Sequence, residues 1–233
     1  MKRIFLAVAA LASTFMFTSC EEEGSIFNIQ DEIKKVENIE NEVKSGVYFE
    51  VEKGTIVYEY SEDGSDKVTM TLTFDQYGKV FATKTKKTDL NADAIVFVKD
   101  GNQYSYLLSN DPLFPEESKV CEVTTFNSTK YLENAFMVFR GYYFNLYATY
   151  SKYLPEEENK PIITKSTEKY AGVDCDSYVW ENFSKNGPAK MAGWKRLMFH
   201  SEIEGVVLDA VSFSENFDAS LCEVPEGYTI QEK

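Results

Sequence analysis

Four cysteines, one histidine and an excess of carboxylates are the groups in this 233-residue chain that could do chemistry. Cys121, Cys175 and Cys222 form no C-x-x-C pair, and His200 is the only histidine, so neither a zinc site nor a thioredoxin-like motif is indicated. In an oxidising compartment these three thiols admit three pairings with one left over; three buried, inert thiols are the other reading. His200, in "LMFHSEIEG", would need a nucleophile and an orienting carboxylate to act as a general base, and reads as structural. Two carboxylates could serve a glycosidase, yet with 38 acidic residues such pairs arise by chance. "SEDGSD" lacks the spacing and terminal Glu of a calcium loop and reads as a hairpin turn. No G-x-S-x-G and no phosphate-cradling glycine loop is present. The expectation is a non-enzyme with no catalytic residue, metal or cofactor.

The fourth thiol, Cys20, has a different setting. Lys2 and Arg3 precede an uncharged run from Ile4 to Phe17, which as a helix rises about 21 Å, short of the roughly 30 Å hydrocarbon core. That is a secretory signal rather than a span. With small Ser19 before Cys20, "FTSC" resembles the cleavage motif of bacterial lipoprotein signal peptides, with Phe17 where Leu is usual. The resemblance implies removal of residues 1–19, diacylglycerol on the Cys20 sulfur and a firm multi-chain membrane anchor. Cleavage near Ala12 or Ser13, as in an ordinary secreted protein, is the alternative. Glu21, Glu22 and Glu23 resemble the acidic export label of Bacteroidetes surface lipoproteins; the plainer reading is a solvated tether over 20–25. The address expected is the outer membrane, lipid-anchored and cell-surface exposed, or otherwise periplasm-facing.

Residues 26–233 are enough for one domain with a real core. The formal charge of −14 becomes more negative when Lys2 and Arg3 leave, which argues against nucleic acid and against electrostatic docking on anionic lipid. Ile29, Ile33, Val36 and Val43 make one apolar stripe, predicting a helix over 29–44, started by Asn28 and closed by Gly46. The period then changes to two. Strands are predicted near 47–52, 54–60, 67–74 and 77–85, with two more joined at Asp100-Gly101. Residues 110–160 interrupt this meander. "STKYLENAFMVFRGYYFNLYATYSKYL" places Leu132, Phe136, Phe139, Tyr143, Leu146, Tyr147 and Tyr150 on one helical face, with Gly141 inside at a cost of about 1 kcal/mol. Strands return in "KPIITKST", "VDCDSYVWE", "AKMAGWKRLMF" and "GVVLDAVSF", and "LCEVPEGYTI" finishes the chain.

Two stretches carry a family likeness: Phe74, Asp75, Tyr77 and Gly78 early, then Ala171, Gly172, Cys175, Tyr178, Trp194, Ala210, Pro225 and Gly227. They resemble a family of uncharacterised exported Bacteroidetes proteins, related at fold level to the LolA/LolB half-barrel lipoprotein carriers. The resemblance implies an α+β fold, a strongly curved antiparallel sheet with two helices on its concave face, and an apolar cavity. It implies no activity. The aromatic face is read as buried core, as a lid in which Phe136, Phe139, Tyr143 and Tyr147 line a cavity for an apolar or amphipathic ligand, or as a sugar- or peptide-binding surface. The partners expected are the membrane through Cys20, such a ligand, or an outer-membrane protein recruited by a surface lipoprotein.

Overall fold

The structure, a computed structural model, describes residues 23–87, 91–109, 111, 113–127, 137–152 and 160–233. Cys20, Glu21, Glu22 and Phe136 lie outside the described residues. Helix α1 runs over Glu23–Lys44, so it starts six residues before the expected 29. Its stripe behaves as the spacing demands: Ile29, Val36 and Val43 are buried.

The sheet is built from twelve strands: β1 (Gly54–Glu62), β2 (Val68–Asp75), β3 (Val80–Lys87), β4 (Ala92–Lys99), β5 (Asn102–Leu108), β6 (Val120–Thr125), β7 (Ile163–Tyr170), β8 (Val173–Ser184), β9 (Gly187–Trp194), β10 (Leu197–Ile203), β11 (Val206–Ser214) and β12 (Thr229–Glu232). A second helix, α2, spans Gly141–Ser151. The strand order is β12-β6-β5-β4-β3-β2-β1-β11-β10-β9-β8-β7, antiparallel except where β12 runs parallel to β6. The sheet is curved and does not close, so the α+β half-barrel architecture expected from the sequence is the one found. Three details differ. Residues 47–53 form an irregular strap instead of a strand, β6 is an additional strand, and 189–199 is two strands hinged at Lys195-Arg196 rather than one.

Alternation sorts the side chains. Tyr58, Met70, Leu72, Phe74 and Phe81 are buried on the face that carries both helices and the strap, within the main core. On the opposite face of β3–β6, Ala82, Ile95, Phe97, Tyr106 and Cys121 form a second core. The chain end covers it with Phe217, Leu221, Cys222, Val224 and Tyr228, held where Tyr228 Oη donates to the Leu107 carbonyl (2.6 Å) and Tyr106 Oη to that of Glu223 (3.1 Å). Cys121, Cys175 and Cys222 are all buried free thiols, and burial pushes the Cys175 and Cys222 thiols up to about 11.

The β7 end curls so strongly that β7 approaches β11, four positions away in the sheet. Tyr170 on β7 stacks on His200 of β10 (centroids 5.0 Å apart), whose Nδ1 lies 2.6 Å from Asp209. Glu168 fastens the curl: its carboxylate accepts from Lys190 Nζ (2.7 Å), Ser177 Oγ (2.9 Å) and Tyr170 Oη (2.9 Å). The Lys190 bond first, then those from Ser177 and Tyr170, hold it down to about 2. Because its unfolded value is about 4.3, Glu168 stabilises the fold fully above that pH, and the contribution is lost as pH falls towards 2. Glu168→Gln is therefore expected to lower Tm at pH 7, with the gap to the natural protein closing between about pH 4 and pH 2 in a thermal-melt series.

Candidate functional site

Beside α2 the predicted helix over 137–140 is instead irregular chain that pairs with β10. Met198 N donates to the Met137 carbonyl (2.9 Å), Phe139 N donates to that of Arg196 (2.8 Å), and Val138 bridges Leu197. Phe and Val tolerate this geometry well, and the tertiary hydrogen bonds outweigh the local helical pattern. Gly141 is thus the first residue of α2, not a defect inside it. The reason for glycine is steric. A Cβ there would strike the Phe139 ring and come within 2.9 Å of Tyr178. Gly193 on β9 flanks the same ring, where a Cβ would strike Phe139 and lie 2.5 Å from the Leu197 carbonyl oxygen. Phe139 is wedged between two glycines and is a fixed wall.

The tip of the β9–β10 hairpin is the other half of the site. Trp194 pairs with Leu197, leaving Lys195 and Arg196 as a two-residue loop with φ of +48° and +65°. Both central residues of such a turn need positive φ, which suits Asn or Gly and costs other residues on the order of 1 kcal/mol each. At Asp63-Gly64, Asp100-Gly101, Ala171-Gly172 and Glu204-Gly205 the chain supplies a glycine; here it does not. Surrounding bonds hold the strain. The Lys195 carbonyl accepts from Glu50 N of the strap (3.0 Å), and the Arg196 carbonyl accepts from Phe139 N. The strap is clamped again at its far side, where Tyr48 N and Phe49 N donate to the Tyr77 carbonyl and Tyr77 N donates to that of Glu52. Arg196 has a side chain only 7% exposed, with Glu42 of α1 at 2.9 Å and Glu50 at 3.4 Å. Both carboxylates are within ion-pair distance, yet they lie off the N–H directions, so Nε and Nη1 are buried without a hydrogen bond. Lys195 extends over the Trp194 ring (4.3 Å).

These parts enclose a cleft of about 340 Å³ between the first turn of α2, Ile39 of α1, the strap and β7–β9. Phe139, Tyr178 and Trp194 supply the aromatic wall; Glu50, Asp174, Asp176, Lys195 and Arg196 supply the charged groups. Each carboxylate faces a cation: Asp174 lies 3.5 Å from Lys169, Asp176 3.2 Å from Lys165 and Glu50 3.4 Å from Arg196. Tyr178 Oη donates to Asn145 Oδ1 (3.0 Å), and Tyr142 Oη donates to Glu40 (2.7 Å), tying α2 to α1. Burial first, then Glu40, pushes the Tyr142 and Tyr143 phenols far above their ordinary range, so neither ionises near neutral pH. A second depression of about 420 Å³, at the ends of β3–β5, has only Ala92 and Leu108 as apolar lining and no aromatic wall among the described residues.

Of the residues expected to line a cavity, Phe139 borders the cleft. Tyr143 and Tyr147 are buried in the seam between the helices with Val36 and Leu146, and Phe136 lies outside the described residues. Glu23 is the first residue of α1. Sequence reasoning missed Gly141, Gly193, Trp194, Lys195 and Arg196. The one available signal was the "GWKR" break in an otherwise alternating run. His200 is on the other face of the sheet: its row, with Ala192 and Ser177, lies between the rows of Gly193 with Asp176 and of Met191 with Tyr178.

No protein-family model and no curated protein matches the chain. Among solved structures it is similar to an uncharacterized conserved protein from Thermus thermophilus, at 7% identity over 85% of this chain and 99% of that one, with a TM-score of 0.46. It is also similar to a chain in the MucA/MucB complex of Pseudomonas aeruginosa, at 9% identity over 88% of this chain and 63% of the other, with a TM-score of 0.42.

Substituting Gly193→Ala tests the wedge. Overpacking of this kind costs about 1–3 kcal/mol, and the expected loss in urea denaturation is at the upper end, because ring and backbone both block the new methyl. Adding Phe139→Leu should recover only part of it.

Proposed function

We propose that this protein is a lipid-anchored envelope component that binds an amphipathic ligand in the cleft beside Phe139 and does so without catalysis. The observation that carries the reading is the fixed aromatic wall formed where Phe139, held between Gly141 and Gly193, meets Tyr178 and Trp194 next to a charged rim. The lining joins aromatic edges to charged and polar groups in about equal measure, the mixed character an amphipathic ligand needs, and the volume is at the lower end of the small-molecule range. Binding rather than chemistry fits the rim, since Asp174, Asp176 and Glu50 each already face a cation. The interior supports a compact ligand rather than a long chain, because most of the helix-bearing face is filled by packed side chains. Recruitment of an outer-membrane partner is the weaker reading: among the described residues the exposed large apolar side chains, Tyr77, Leu113, Ile162, Val211 and Ile230, are spread over five segments. The anchor in this account is the lipid on Cys20, with Glu21, Glu22 and Glu23 as the export label.

Two measurements test it. The chain has two tryptophans, so Trp180→Phe leaves Trp194 as the only indole reporter in the cleft. Short single-chain amphiphiles, added below their aggregation concentration, are expected to shift its emission saturably at 1:1 stoichiometry; no shift with any head group up to millimolar concentration overturns the binding reading. Cells fed an alkyne-labelled fatty acid are expected to label the natural chain and not Cys20→Ser, which should leave the membrane fraction.

A further inference from the structure

We infer that the cleft selects anionic amphiphiles, and that Glu50 is an internal stand-in for the ligand's carboxylate or phosphate head. The inference rests on the binding reading above and names its ligand class. Arg196 carries it. Its guanidinium is buried, it lines the cleft, and Nε and Nη1 make no hydrogen bond. Buried cationic N–H groups left without an acceptor are costly, so this site is poised for an oxygen acceptor in better alignment.

Glu50 now occupies that place poorly. Its Oε1 lies 3.4 Å from Nε, its side chain is 53% exposed, and it belongs to the cleft lining. Being half in water, it can swing outward at little cost, which uncovers the Nε edge. An incoming carboxylate or phosphate then replaces one anion by another beside Arg196, while Glu42 remains as the second counter-ion. Lys195, exposed and set over the Trp194 ring, supplies a second cation at the mouth. Asp174 and Asp176, the other anions of the lining, are offset by Lys169 and Lys165. The apolar body of the ligand lies along Phe139 and Tyr178. The whole chain carries a formal charge of −14, so the general field disfavours anions and any preference for them must be local.

The full chain with Trp180→Phe is titrated with octanoate, octyl phosphate, octyl glucoside and octyltrimethylammonium, following Trp194. Octanoate or octyl phosphate should bind about tenfold more tightly than octyl glucoside, as one charge-assisted hydrogen bond provides, with the trimethylammonium probe weakest. Whichever of the two anions binds more tightly assigns the head group. Glu50→Gln should tighten the anions several-fold and leave octyl glucoside unchanged; Arg196→Gln should erase the preference. Lys195→Ala, a change at an exposed position, should weaken the anions alone, which keeps the test decisive if Arg196→Gln fails to fold. Equal affinity for all four probes, or Glu50→Gln weakening the anions, overturns the inference while the binding reading stands. No response to any probe defeats the binding reading itself.

Discussion

Two adjacent residues without a glycine, Lys195 and Arg196, hold positive φ at the tip of the β9–β10 hairpin, and three other segments hang from that turn. Its carbonyls take hydrogen bonds from the strap at Glu50 and from the irregular segment at Phe139, and its guanidinium faces Glu42 on α1. A strained turn persists when its surroundings over-determine it. Here the bonds that hold the turn also fix what covers the sheet: the strap, the end of α1 and the start of α2. A glycine at 196 would relieve the strain there but lose the Arg196 side chain, so at that position conformation and charge are bound to the same residue.

The rest of the helix-bearing face depends on this clamp. The non-helical course of 137–140 delays α2 until Gly141, and that offset places Tyr143, Leu146 and Tyr147 against α1 while Phe144 reaches Tyr178 and Trp180. Aromatic side chains therefore divide between two tasks. Most fill the seam between helices and sheet, and Phe139 with Trp194 is left at the boundary where packing stops and the cleft begins. On the opposite face the chain end does for β3–β6 what the helices do for the other side, and the β7 curl, fastened by Glu168, covers His200.

How much was legible in the sequence depended on how local the determinant was. Alternation in "KVTMTLTFD" and the dipeptide Asp100-Gly101 report directly on neighbouring backbone, and the structure agrees with both. The α1 stripe was equally plain, since Ile29, Val36 and Val43 need only one periodicity. β6 was harder: "VCEVTT" is six residues long, and its parallel pairing with β12 joins segments more than a hundred residues apart. The Lys195-Arg196 turn could not be seen from propensity, because the residues that favour it are absent and the forces that hold it come from positions 42, 50 and 139. A helical wheel groups Phe139 with Tyr143 and Tyr147, which lie in the seam between the helices; its place at the cleft is due instead to the non-helical backbone and the two glycines that flank its ring.

Hydrogen exchange at single backbone amides tests the clamp most directly. Phe139 N and Glu50 N are in irregular segments, yet both donate to the turn. If the turn organises this face, both amides should exchange as slowly as those of β9 and β10 and open only in the global unfolding reaction. Exchange on the fast timescale of surface loops at these two positions, with β9 and β10 still protected, would contradict the account: the straps would then be loose cover, and the fixed wall of the cleft would not exist.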